Sequence, residues 1–124
     1  IKNEIKKNYP EININTPPGI SSVSLAAAIG EFQLLKNGEN LFVSECPDDL
    51  NEFKNLINKK SKKVLVIMKV GKRWTWVKNI LKDKNILQKT LLATNIGMEN
   101  QFIGAASEYK NIELPYFSLL LIRI

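Results

Sequence analysis

Histidine is absent from the 124 residues, and cysteine occurs once, as Cys46. The first absence removes imidazole acid–base chemistry, Ser-His-Asp and Cys-His nucleophile systems and His-based metal sites from this chain. The second leaves no internal disulfide, so a reducing cytoplasm is the expected setting. Long hydrophobic runs are also missing: runs such as Val64–Met68 and Leu119–Ile122 fall far short of the about 20 residues that a bilayer requires. No membrane partner is expected, and no secretory leader, since no basic stretch precedes an apolar one. The six glycines form neither a GxGxxG nor a GxxxxGK(S/T) spacing, which withdraws the dinucleotide-fold and P-loop readings.

What remains has the composition of one globular domain, 44% hydrophobic and 24% charged. The net charge of +6 conceals an asymmetry. Residues 1–53 carry four basic and eight acidic side chains, whereas residues 54–89 carry twelve basic ones against Asp83 alone. A field of that sign attracts phosphates, nucleic acid or a polycarboxylate, or it is simply a solvated lysine-rich face; charge alone does not choose.

The patterns alternate between strand and helix. Ile1 and Ile5 among lysines read as the end of a helix closed by Asn8-Tyr9-Pro10, and 11–15 alternates as a short strand stopped by Thr16-Pro17-Pro18-Gly19. Ser21 and Ser22 can cap the alanine-rich run that ends at Gly30. Asn40–Ser44 reads as a strand, and Pro47-Asp48-Asp49 opens a helix with Leu50, Phe53, Leu56 and Ile57 on one face. Val64–Met68 is what a strand buried on both faces looks like. A helix with Trp76, Val77, Ile80 and Leu81 as its apolar stripe follows, then strands over 90–95, 100–103 and 116–122. The expected fold is α/β: a three-layer-like domain with a mixed, largely parallel sheet flanked by helices, whose ligands favour loops at the carboxyl ends of strands.

Two junctions carry chemistry. Pro17-Pro18-Gly19-Ile20-Ser21-Ser22 joins a rigid turn to a fresh helix N-terminus with free amides and two hydroxyls, a place for a polar or anionic group, or a plain helix cap. Met68-Lys69-Val70-Gly71-Lys72-Arg73 sets a soft side chain and three cations just past the buried strand, or is a core methionine followed by a solvated loop. Trp74 and Trp76 lie beside Lys72, Arg73 and Lys78; on this reading Trp76 is core and Trp74 is exposed, where it could stack a nucleic-acid base.

In order, Pro18-Gly19-Ile20-Ser21-Ser22, Val64–Gly71 and Leu92–Met98 resemble the C-terminal half of the tetrapyrrole (corrin and porphyrin) methylases, with coverage from about residue 9 to the end. The ending Pro115–Arg123 is similar to the tail of members acting at C20 of precorrin-2 or cobalt-factor II. The resemblance implies a two-domain methyltransferase with S-adenosyl-L-methionine in the interdomain cleft. Residues 1–9 would then be the remnant of the last helix of a missing N-terminal domain, and 10–124 the C-terminal domain. By matching position it implies cofactor contacts at Ser21, Ser22, Met68 and Gly97, with Ser21 standing where the family commonly has threonine. It gives no catalytic base and no metal, and it implies a homodimer. Its carboxylate-rich tetrapyrrole substrate suggests Lys69, Lys72 and Arg73 as contacts. The alternatives are a methylase of another ring position or acceptor, or a small basic nucleic-acid-binding domain using residues 54–89.

Overall fold

Val64–Met68 has no polar side chain to leave facing water, and the fold buries it from both sides. The computed structural model describes residues 20–58 and 62–124, and of Ile20 and Ser21 the backbone alone. The helix end and strand expected before residue 20, and residues 59–61 of the lysine-rich turn, lie outside the described residues. Chain order is α1 (Ile20–Ile29), β1 (Asn40–Glu45), α2 (Leu50–Asn58), β2 (Lys63–Met68), α3 (Trp74–Asp83), β3 (Leu91–Thr94), β4 (Phe102–Ala105) and β5 (Ser118–Arg123). Short 3-10 turns cover Gly71–Arg73, Leu87–Lys89 and Ala106–Glu108.

The five strands make one mixed sheet in the order β1-β2-β5-β3-β4. β1, β2 and β3 run the same way, as strand-helix alternation demands, yet only β1 and β2 form a parallel ladder. The parallel content is smaller than expected because the terminal strand returns into the middle of the sheet: β5 lies between β2 and β3, antiparallel to both. β4 closes the far edge antiparallel to β3. It forms at Phe102 rather than Asn100 because successive turns consume the preceding residues, the Met98 amide donating to Asn95 O and the Gln101 amide to Met98 O.

Alternation along β2 and β5 splits the core in two. Leu65, Ile67, Leu120 and Ile122 face α2 and α3, packing with Phe53, Ile57, Trp74, Val77 and Leu81. Val66, Ala93, Leu119 and Leu121 face α1, packing with Val23, Ala26 and Ala27. Helices on both faces make the three-layer α/β arrangement.

On α3 the stripe expected to run through Trp76 runs through Trp74 instead. Trp74, Val77 and Leu81, at i, i+3 and i+7, point inward with Ile80, and Trp74 is 0% exposed. Trp76 is half-buried, its ring edge-on to Phe53 with centroids 5.8 Å apart. Buried Val70 draws the chain inward just before the helix, which seats its first residue in the core. A buried Trp74 has no face to offer a base, so of the two features behind the nucleic-acid alternative the exposed tryptophan is lost and the basic segment remains.

Candidate functional site

β2 and β3 end side by side with the start of β5 between them. Met68, Leu119 and Ala93 are register partners across these three strands and share the α1 side of the sheet. They form the floor of a cleft of about 290 Å³. Ser22, in the first turn of α1, forms one wall; Ile96 and Met98 form another, and Lys69, Tyr116 and Phe117 stand at the strand ends.

Left-handed backbone shapes the walls. Lys69 (φ 57°) directly follows β2, and Asn95 (φ 49°) directly follows β3. The Asn95 amide donates to Phe117 O at 2.7 Å, which ties the β3 end to the segment leading into β5. Ser118 caps the same segment, its hydroxyl donating to Pro115 O at 2.8 Å.

Of the residues expected to contact a cofactor, Ser22 and Met68 line the cleft. The Ser21 side chain lies outside the described residues. Gly97 sits between two lining residues, Ile96 and Met98, without lining the cleft itself. Its φ of 83° is what requires glycine, and its amide is engaged by Gln101 Oε1 at 2.8 Å.

The three expected cations separate. Lys69 lines the cleft, its ammonium 2.8 Å from Glu45 Oε1, and that carboxylate raises its pKa above the ordinary lysine value. Lys72 and Arg73 do not line it. After Lys69 the chain dives through Val70 and turns again at Gly71 (φ 54°), carrying both residues into the 3-10 turn. There Arg73 ties its own loop together, donating to Lys69 O and pairing with Asp48. Cys46 is buried, which pushes its thiol up to about 11 and keeps it protonated near neutral pH. Among the described residues no cluster of acidic or cysteine side chains is arranged to hold a metal, and no helix is long and apolar enough to cross a membrane.

Residue-by-residue reading of the sequence missed Ala93, Ile96, Met98 and the Tyr116–Leu119 run. An exposed aromatic pair between Pro115 and an apolar strand was the available signal for the last group. Its relevance depends on β5 inserting beside β2 and β3, a pairing with no local signature.

The sequence profile of the tetrapyrrole (corrin/porphyrin) methylases matches residues 1–110. The chain belongs to that family. No curated protein matches it. Membership places this tetrapyrrole methylase chain among methyltransferases, and its mixed α/β sheet with helices agrees with a domain of that family. The matched stretch contains Ser22, Met68, Lys69 and the Ile96–Met98 wall, while β5 and the Tyr116–Phe117 rim follow it.

Proposed function

We propose that the chain is the C-terminal half of an S-adenosyl-L-methionine-dependent methyltransferase acting at C20 of precorrin-2 or cobalt-factor II. The observation that carries the reading is the apolar cleft at the carboxyl ends of β2 and β3, with Ser22 and Met68 on its walls, in a chain of this family. The C20 position is supported by the Pro115–Arg123 ending. On this reading residues 10–124 are the C-terminal domain, residues 1–9 end the preceding one, and the full-length protein is a cytoplasmic homodimer.

The cleft fits part of the donor. At about 290 Å³ it lies just under the roughly 300–1,000 Å³ usual for ligand pockets, room for a flat base and its sugar. Met68, Ala93 and Ile96 suit the face of a base. The Ser22 hydroxyl and the first-turn amides of α1, which have no partner within the helix, suit ribose hydroxyls or a carboxylate. The N-terminal domain supplies the rest of the enclosure. When bound, the donor supplies an electrophilic methyl on a sulfonium sulfur. The residues of this chain hold and orient it and exclude water, so alignment and partial desolvation provide the acceleration. No side-chain nucleophile is required, in keeping with a chain that has no histidine and a protonated Cys46.

Calorimetric titration of the full-length protein with S-adenosylhomocysteine tests the donor site. Stoichiometric binding is expected, weakened roughly tenfold by Met68→Ala, the equivalent of about 1.4 kcal/mol of apolar contact, and nearly unchanged by Met68→Leu. Residues 1–124 alone bind weakly and transfer no methyl group. A well-folded full-length protein that does not bind the ligand overturns the reading. Turnover of precorrin-2 compared with tetrapyrroles already methylated at C20 tests the ring position.

A further inference from the structure

Among the described residues Lys69 is the only cation lining the cleft, and it already holds a carboxylate. Its ammonium lies 2.8 Å from Oε1 of Glu45, the last residue of β1, which is in register with Met68. Both side chains face water, 52% exposed for Lys69 and 71% for Glu45. An ion pair this open is weak, because both charges stay hydrated, so another carboxylate can exchange into it. On the same rim the Tyr116 and Phe117 rings meet edge to face, centroids 5.1 Å apart, and are 72% and 48% exposed. Aromatic surface left in water beside a cation is what a flat anionic ring would cover.

We infer that Lys69 binds a carboxylate of the acceptor, that Tyr116 and Phe117 form the apolar platform beside it, and that Glu45 is an internal stand-in which the acceptor's carboxylate displaces. The inference rests on the tetrapyrrole reading above and adds to it a named subsite with a built-in competitor. Arg73 does not line the cleft; its guanidinium donates to Lys69 O and pairs with Asp48 instead.

The test uses the full-length protein and uroporphyrin, a flat ring edged with carboxylates, with binding followed by porphyrin fluorescence. A porphyrin edged with pyridinium cations controls for stacking alone, and thermal midpoints confirm that each variant is folded. Glu45→Gln tightens uroporphyrin binding roughly two- to fivefold, the equivalent of an exposed ion pair. Lys69→Met weakens it by a similar factor or more, and in that background Glu45→Gln changes nothing. Tyr116→Ala weakens both porphyrins, as loss of a shared platform requires. S-adenosylhomocysteine binding is read in parallel for every variant, so that damage to the donor cleft, which Lys69 also lines, is told from loss of the acceptor subsite.

An equal gain from Glu45→Gln with and without Lys69 reveals simple charge repulsion and overturns the displacement. Unchanged uroporphyrin affinity in all variants, with S-adenosylhomocysteine still bound, overturns the subsite and leaves the donor reading standing. A folded wild-type protein that binds neither ligand overturns both.

Discussion

Lys69 and Asn95 hold the same unusual backbone, one step beyond each of the two strands that frame the cleft. A left-handed residue costs about 1–2 kcal/mol in most side chains and less in asparagine, so Lys69 is the strained member of the pair. Glu31 carries the same penalty with no site to justify it. It is the left-handed residue closing α1: the Phe32 amide reaches Ala27 O at 2.8 Å and the Glu31 amide reaches Ala28 O at 3.3 Å, a Schellman pairing. The neighbouring Gly30 was the expected stop signal, but its φ is not positive; it is glycine because a Cβ there would come within 2.6 Å of Leu91 Cδ2. Glu31→Gly should therefore stabilise the fold by about 1 kcal/mol, and Gly30→Ala should destabilise it by about 1–2 kcal/mol. Chemical denaturation of the two variants measures both signs. A glycine at a helix end was readable as punctuation, whereas its role against Leu91 required knowing which strand lies under α1.

Among the elements, α3 shows how little separates a correct helix from an incorrect face. Its existence follows from apolar spacing, but two tryptophans two positions apart both belong to plausible stripes, and the buried one is chosen by the angle at which the chain enters the helix. That choice is energetically large. Trp74→Ala removes a fully buried ring and should cost about 3–5 kcal/mol, whereas Trp76→Ala, at the half-buried edge against Phe53, should cost about 1–2 kcal/mol. Trp74→Phe should cost less than the lost volume implies, because the indole Nε1 is buried without a hydrogen-bond partner and its removal relieves about 1–3 kcal/mol. Equilibrium unfolding of the three variants orders these effects. β2 was legible because an uninterrupted β-branched and aliphatic run can be satisfied only between two layers. β5 was legible as a strand for the same reason, but its seat between β2 and β3 was not.

Across the whole molecule, the acidic first part and the basic remainder meet. Three ion pairs among the described residues join Glu45 to Lys69, Asp48 to Arg73 and Glu39 to Arg123, each linking a carboxylate before residue 54 to a cation after it. Glu39 has the clearest titration. Its hydrogen bond from Arg123, with another from the Lys36 amide, holds its carboxyl below the ordinary value of 4.5. The pair therefore contributes stability above that value and loses it as the pH falls through the depressed pKa. Glu39→Gln should lower the thermal midpoint near neutral pH and make it fall less steeply in acid; melting curves at about pH 7 and about pH 3 check both statements. Strand and helix identity, the apolar faces and the residue types flanking β2 were all present in the linear order, because hydrophobic period, capping and side-chain chemistry are properties of neighbouring residues. Resemblance in that order was enough to indicate the family. The insertion of β5, the row Met68–Leu119–Ala93 that it creates, the departure of Lys72 and Arg73 from the cleft and the pairing of Lys69 with Glu45 were decided in three dimensions. Each depends on which distant strands become neighbours, and that is settled by the packing of two helical layers on one sheet.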